Sequence, residues 1–353
     1  MNRSVRIFNK KIGPNEPVYI IAEAGVTNYG DVEIAKRQAN AAIAARADAI
    51  KYQFTKTELI VSRFAAKKHE KELGYDWYRR MKYKELSNED ISHLKEYVSL
   101  RGGGAIDWFA SPHDEVALEY LAYELECPVI KIGSGESHNI DFLKKVAKTG
   151  KTVIVSFGLQ TDKEAIKAVK TLQDGGADGV IAMHCTTLYP TPYELVDLHR
   201  MKHLEKILSI PVGFSDHSVG DHVLLAAVAL GAPIIEKHLT FDKNDPRSLD
   251  NPGALTPAEW NDFVRKVREL EKSSAVIPEK RRQEMLVSGR NWAGQSIVAA
   301  TALEKGMTLS RDMLLLKRPF KGGIGPEYIS KIVGKKLKRA LEEDEQVQLE
   351  DVA

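Results

Sequence analysis

The sequence predicts an α/β fold: a (β/α)8 TIM barrel followed by a small, mostly β module. Three observations carry that expectation. Short apolar runs alternate with amphipathic stretches over most of the chain, the order of a parallel sheet with helical crossovers. Eight such runs fall within about 250 residues, the length of a strand–helix barrel. No glycine-rich loop follows the first run, which weighs against the alternative, a doubly wound dinucleotide-binding sheet.

The eight runs are 18–24, 49–53, 108–111, 129–134, 152–157, 179–185, 211–216 and 233–240. Between them lie helix signals. The stretch 140–149 is apolar-periodic and stops at Gly150, while 161–172 opens on Thr161 with Glu164 three positions on, a capping box. The segment 55–86 is too long and too charged for a βα turn, and it carries Tyr75, Trp77, Tyr78 and Tyr83. It reads as a folded insertion over the barrel mouth. A helix over 258–271 closes the barrel domain, 1–271, and 272–290 reads as a charged linker. The tail, 291–353, holds a weak repeat: Ala302-Leu303-Glu304-Lys305-Gly306 recurs as Ala340-Leu341-Glu342-Glu343-Asp344. Each half reads as strand, tight turn, strand.

Composition excludes several classes. Of the 353 residues 43% are hydrophobic and 28% charged, as in ordinary globular proteins. The net charge of +2 points to no nucleic-acid track and no anionic membrane surface. No apolar run approaches the ~20 residues that span a bilayer. The N-terminal stretch Met1-Asn2-Arg3-Ser4-Val5-Arg6 lacks a signal-peptide core. Cys127 and Cys185, both in apolar surroundings, argue against a disulfide framework and for the reducing cytoplasm.

The informative feature is what ends the runs. A barrel strand points alternate residues inward, and the C-terminal mouth is where such folds place chemistry. Seven runs finish on hydroxyl or ionisable residues: Glu23; Lys51 and Gln53; Ser111; Lys131, Ser134 and Glu136; Ser156; Ser215 and His217; Glu236 and His238. Buried charge costs several kcal/mol unless paired or bound to ligand, so their convergence at one end indicates a site. Lys51 and Lys131 with Ser134, Ser156 and Ser215 suit a phosphate or carboxylate. His217 and His238, on adjacent strands, either ligate one divalent metal or are satisfied core histidines. Glu23 and Glu136 have no evident structural partner and are candidates for general acid and base. Together these groups suggest addition chemistry on a phosphorylated small molecule.

Six motifs, in order, are similar to the sialic acid synthase family. They are Ile21-Ala22-Glu23-Ala24-Gly25 with Asn28, Lys51-Tyr52-Gln53, and Lys131-Ile132-Gly133-Ser134-Gly135-Glu136. There follow His184-Cys185-Thr186-Thr187-Leu188-Tyr189-Pro190, Gly213-Phe214-Ser215-Asp216-His217-Ser218 and Glu236-Lys237-His238-Leu239-Thr240. The tail, with Lys317-Arg318-Pro319 and Gly334-Lys335-Lys336, resembles that family's C-terminal antifreeze-like (SAF) domain.

The resemblance implies a transferase: a metal-dependent condensation of phosphoenolpyruvate with an N-acetylmannosamine-like aldose, releasing phosphate by C–O cleavage. By it, Lys131, Ser134, Ser156 and Ser215 hold the phosphate, Lys51 and Gln53 the rest of the phosphoenolpyruvate, and Ser111 adds a further substrate contact. His217 and His238 would hold Mn²⁺ or Mg²⁺. Glu136 would stabilise the cation at C2 or activate water, and Glu23 would stand nearer the aldehyde. Tyr189 resembles the contact to the sugar N-acyl group, and Arg318 would reach a partner's barrel in a domain-swapped homodimer. Thr187 stands where some members carry Asn, and the loop 241–250 lacks the common Gly-Pro-Asp, leaving Asp250 for the role at the metal's water. Phe157 replaces a small hydroxyl residue. The acceptor is N-acetylmannosamine or a 6-deoxy diacetamido hexose, the latter giving legionaminic or pseudaminic acid. Rival readings are a Schiff-base pyruvate lyase using Lys131, and a non-catalytic sugar-binding protein.

Overall fold

Each of the eight apolar runs forms a strand of one parallel sheet. The computed structural model describes residues 4–353, so the first three residues of the N-terminal stretch lie outside it. A short antiparallel hairpin, β1 (Val5–Ile7) and β2 (Lys10–Ile12), precedes the barrel. The barrel strands are β3 (Tyr19–Gly25), β4 (Ala49–Phe54), β5 (Asp107–Pro112), β6 (Val129–Ile132), β7 (Thr152–Phe157), β8 (Gly179–His184), β9 (Val212–Asp216) and β10 (Ile234–His238). Hydrogen-bonded ladders run in the order β5-β4-β3-β10-β9-β8-β7-β6, and β5 lies beside β6. The sheet is a nearly closed (β/α)8 barrel.

Period-two alternation builds two interiors. At the strand starts the inward residues are apolar: Tyr19, Ile21, Ala49, Phe109, Val129, Ile154, Ile181 and Ile234 pack together. Ile7 and Ile12 of the hairpin join this cluster and plug the end of the barrel. Two or four residues further on, the inward positions become Glu23, Lys51, Ser111, Lys131, Ser156, Ser215 and Glu236, all buried. The intervening outward residues pack against the helices in a second, larger core that includes Ile50, Ile130, Val153, Phe214 and Ile235. The capping box forms as the sequence indicates, with Thr161 and Glu164 bonding each other's backbone N–H at the start of the helix Asp162–Asp174. The closing helix is Pro257–Ser274. Cys127 and Cys185 are buried free thiols. Among the described residues no helix is long and apolar enough to cross a membrane.

Three expectations need revision. The run 129–134 ends as a strand at Ile132, because Gly133 to Ser137 turns back on itself through Glu136 N and Ser137 N bonding the Gly133 carbonyl. Ser134 and Glu136 therefore sit in a turn. Residues 279–290 of the expected linker belong to a helix, Glu279–Ala293, whose Glu, Lys, Arg, Gln and Met residues are good helix formers and which buries none of its side chains. In the tail only one two-stranded ladder forms, β11 (Ser296–Ala299) with β12 (Leu314–Lys317). The repeated segments meet as a single reciprocal bridge, Leu303 N to Leu341 O and Leu341 N to Leu303 O, each 2.8 Å. Gly306 (φ 88°) and Asp344 (φ 64°), the last residues of the two copies, both adopt the left-handed turn conformation that cuts each strand short.

The chain divides into two compact units, residues 1–274 and 275–353. The second has its own core of Ile297, Leu303, Leu309, Leu314, Ile332, Leu337, Leu341 and Val347. Arg318 is exposed on it.

Candidate active site

The strand ends converge on a pocket of about 360 Å³ at the C-terminal mouth. Glu23, Lys51, Gln53, Lys131, Ser134, Glu136, Ser156, Thr187, Tyr189, Ser215, His217, His238 and Asp250 all line it. Ser111 stands just behind, accepting a hydrogen bond from Lys51 Nζ at 3.1 Å. Arg318 belongs to the other unit.

Four ionic side chains from four strands form its floor. Lys51 Nζ lies 2.8 Å from Glu23 Oε2 and 3.6 Å from Glu236 Oε2. Lys131 Nζ lies 3.6 Å from Glu236 Oε1 and donates to Ser156 Oγ at 2.8 Å. Ser215 Oγ donates to Glu236 Oε1 at 3.0 Å, the two residues being register partners on β9 and β10. Gln53 Nε2 donates to Glu23 Oε1 at 3.0 Å. Burial opposes the charges of Lys51, Lys131 and Glu236, and pairing outweighs it for two of the three. Burial raises the Glu236 carboxyl, but Lys131 and Lys51 more than offset it and hold the group well below the usual carboxylate range. For Lys51 the carboxylates of Glu23 and Glu236 outweigh burial and raise its ammonium. For Lys131 burial prevails and lowers it.

The expectation that Glu23 and Glu136 lack structural partners is wrong for both. Glu23 is bound by Lys51 and Gln53, and Glu136 Oε1 lies 2.9 Å from His113 Nδ1. These three partners come within reach only once the sheet has closed, which spacing along the chain does not reveal.

The two imidazoles stand together on β10 and just after β9, their ring centroids 5.5 Å apart, with the Tyr189 ring 4.2 Å from that of His217. His217 Nδ1 bonds the Thr186 carbonyl at 2.9 Å, so that nitrogen carries the proton and Nε2 keeps its lone pair. Burial, then the neighbouring His238, lowers the His217 pKa to about 4, leaving a neutral ligand at physiological pH. His238 Nδ1 is buried without a hydrogen-bond partner. It packs over Gly25 (φ 53°), where a Cβ would lie 3.2 Å from that nitrogen. A buried ring nitrogen without a partner beside a neutral imidazole fits a divalent cation. Among the described residues no group of three or more His, Cys, Asp or Glu side chains gathers for a metal. Asp250 is 4.0 Å from His238 Nε2, accepting from Ser248 instead.

The NeuB family model matches residues 39–277, and the SAF domain model matches 294–353. The chain belongs to the NeuB family. It is 34% identical to the N-acetylneuraminate-9-phosphate synthase of Mus musculus over 97% of this chain and 94% of that protein. It is also 34% identical to the N,N'-diacetyllegionaminic acid synthase of Legionella pneumophila, over 93% of this chain and 92% of that one. The crystal structure of the N-acetylneuraminic acid (sialic acid) synthetase of Leptospira borgpetersenii superposes with a TM-score of 0.70 at 31% identity, covering 82% of this chain and 97% of that chain.

Sequence reasoning about this NeuB-family chain missed several pocket residues. Glu236 was visible as a strand-end acid, and its place two residues before His238 puts it level with Ser215; period-two reading alone could have given it a role. His113 lies just beyond β5 and carries no signal of its own. The insertion contributes to the rim Tyr75 and Trp77, both named in the sequence reading, and Arg80 and Lys84, which were not. It is built from the short helices Thr57–Ile60, Arg63–Lys68, Glu70–Leu73 and Trp77–Lys82. Arg80 donates to the Pro246 carbonyl at 2.9 Å and Lys84 to Ser248 Oγ at 3.5 Å, tying it to the loop after β10.

Proposed function

We propose that this NeuB-family chain condenses phosphoenolpyruvate with the aldehyde of an N-acylated amino hexose to give a nonulosonic acid and phosphate. The observation that carries this reading is the alternating lysine–glutamate floor beside the facing imidazoles of His217 and His238. Lys131, Ser134, Ser156 and Ser215 receive the phosphate, and Lys51 with Gln53 the carboxylate end. The carboxylate of Glu236, between the two lysines, faces the cationic character that develops at C2 when C3 forms the new C–C bond. As C3 attacks, the aldehyde C=O π pair moves onto its oxygen, which takes up a proton to become a hydroxyl. Water then adds at C2 with Glu136 accepting one proton, and the C2 hydroxyl releases its other proton as the C2–O bond to phosphate breaks and the ketone forms. Glu23, fixed by Lys51 and Gln53, stands on the aldehyde side with Thr187, Tyr189 and Asp250.

His217 and His238 would hold Mn²⁺ or Mg²⁺, which when bound supplies Lewis-acid polarisation of the sugar carbonyl. Charge balance supports this: Glu23 and Glu236 already offset Lys51 and Lys131 one for one, so a polyanionic enol phosphate needs further cations. The expected result is phosphate release that requires both substrates, is lost on treatment with EDTA and returns with Mn²⁺. Turnover that survives chelation removes the metal from the reading.

Lys84 and Arg80 favour an acceptor that carries its own anion. Lys84 is buried, burial lowers its ammonium, and it donates a long hydrogen bond of 3.5 Å to Ser248 Oγ. A phosphate ester at the far end of the sugar would satisfy it, in keeping with the 9-phosphate in the mouse relative's name. A charge-assisted hydrogen bond contributes about 1.5–3 kcal/mol, so N-acetylmannosamine 6-phosphate should exceed N-acetylmannosamine in kcat/KM by roughly 10- to 100-fold, a preference that Lys84→Met erases. Equal rates would return the choice to a neutral acceptor or a 6-deoxy diacetamido sugar.

Arg318 is the remaining cation, and we place it in a second subunit's pocket within a domain-swapped homodimer. The helix Glu279–Ala293 exposes Met285, Leu286, Val287 and Trp292, a surface that a second copy would cover. Arg318→Ala should lose turnover while the melting temperature holds; unchanged turnover removes the shared site.

A further inference from the structure

We propose that His113 is a positioning residue that holds Glu136 as an ionised proton acceptor in this pocket, an inference that rests on the synthase reading above. The pair is built rather than incidental. His113 follows the last residue of β5, and its N–H bonds the Phe54 carbonyl at 3.1 Å, locking the backbone against β4. The next residue, Asp114, caps the helix Glu115–Glu119 and accepts from Lys56 N at 2.7 Å, which fixes the other side of the turn. Across the pocket, the turn after β6 presents Glu136, whose carbonyl is in turn bonded by Asn139 N at 2.9 Å. Gly133 makes room for the carboxylate: a Cβ there would lie 2.7 Å from Glu136 Oε2 and 3.7 Å from His113 Cε1. The 2.9 Å contact between His113 Nδ1 and Glu136 Oε1 spans these two anchored turns.

A histidine kept only for packing or structure has its polar atoms satisfied. His113 Nε2 is buried without a partner, and the ring lines the same pocket as Lys131 and Ser134. The charges that face the pair are Lys51 on β4, Glu23 on β3 and Lys131 on β6. Burial opposes the imidazolium, but the charge and hydrogen bond of Glu136 outweigh burial and Lys51, and the His113 pKa rises. Reciprocally, burial would raise the Glu136 carboxyl, yet the His113 charge and hydrogen bond bring it below its ordinary value. Both shifts favour a proton on the imidazole over one on Glu136, which keeps the carboxylate as the acceptor of the pair. When water forms its bond to C2, an O–H bond breaks and its proton passes to the free Glu136 carboxylate, with His113 compensating the charge beforehand.

A base must be ionised, so activity falls as pH drops through the Glu136 pKa, and a cation that lowers that pKa extends activity toward acid. His113→Phe keeps the ring and removes both nitrogens; His113→Asn keeps a neutral donor near the Nδ1 position. We expect His113→Phe to lower kcat roughly 10²-fold, within the range of acid–base effects, with the KM for phosphoenolpyruvate little changed. Its acidic limb should move to higher pH. His113→Asn should recover part of kcat while the limb stays displaced. In the free protein, NMR titration should place His113 above an ordinary imidazole, and Glu136→Gln should bring it down. Wild-type kcat in His113→Phe, a loss of kcat with an unmoved acidic limb, or a His113 titration insensitive to Glu136→Gln would each overturn the proposal. A wild-type chain that releases no phosphate although the NMR pair titrates as described would overturn the synthase reading and leave the pair standing.

Discussion

Replacing Lys131 with methionine is expected to lower phosphoenolpyruvate-dependent phosphate release by about 10²- to 10³-fold, the usual effect of deleting one preorganised charge stabiliser. It should also destabilise the barrel. Glu236 is shared between Lys131 and Lys51, each 3.6 Å away, and removing either leaves a buried carboxylate short of a partner, a loss of about 3–5 kcal/mol for a broken buried pair. The pH dependence separates the two effects. Because Glu236 is held below the usual carboxylate range in the fold, its pairing contributes stability above the unfolded carboxyl pKa of about 4.3, and that contribution disappears as pH falls through the folded value. The stability gap between wild type and Lys131→Met is therefore expected to be wide at pH 7 and to narrow below about pH 4. Adding Glu236→Gln should restore most of the melting temperature and none of the turnover. A double variant as inactive and as unstable as the single one would show that Lys131 and Glu236 do not act as a pair.

Lys237→Met is expected to have the largest effect of any change made outside the pocket. Lys237 and Asp216 are register partners on β10 and β9, both essentially sealed from solvent, and their side chains point away from the mouth, into the layer beneath the helices. Lys237 Nζ bonds Asp216 Oδ2 and the Ser218 carbonyl, while Asp216 Oδ1 receives Ser218 N at 2.9 Å and Ser218 Oγ at 2.7 Å. These bonds fix the backbone on both sides of His217 and the residue before His238. Breaking the pair should cost about 3–5 kcal/mol. At 2–4 °C per kcal/mol for a large domain, the melting temperature should fall by roughly ten degrees. If His217 and His238 hold the proposed Mn²⁺, their misplacement should weaken its binding by about 10- to 100-fold, readable by titration calorimetry on the folded protein. Asp216→Leu combined with Lys237→Met, which removes both charges, should regain most of the stability. Full Mn²⁺ affinity in Lys237→Met would show that the pair supports the fold alone.

Much of this was legible along the chain because a barrel strand has a period of exposure and the mouth has a direction. Lys51 and Gln53, Ser215 and His217, Glu236 and His238 each share a face two residues apart, and every one of them reaches the pocket. Thr161 with Glu164 announced a helix start, and the helix formed there. Local rules of this kind need only neighbouring residues. The reading stopped where neighbours in space are distant in sequence. His113 and Glu136 are 23 positions apart and meet across β5 and β6, and Lys51 reaches Ser111 over 60 positions. The helix Glu279–Ala293 went unread for a different reason: with no buried face it lacks the apolar periodicity that marks a helix in sequence.

Alternation and strand-end chemistry, both properties of short stretches, determined the barrel, its polar end and the roster of ionisable and hydroxyl groups gathered there. Tertiary structure alone decided how those groups are shared. Closing the sheet brought Glu236 between two lysines, gave Glu23 and Glu136 their partners, and set Lys84 at the rim. Charge pairing depends on through-space distance and burial, which are settled only when the strands take their places around the barrel.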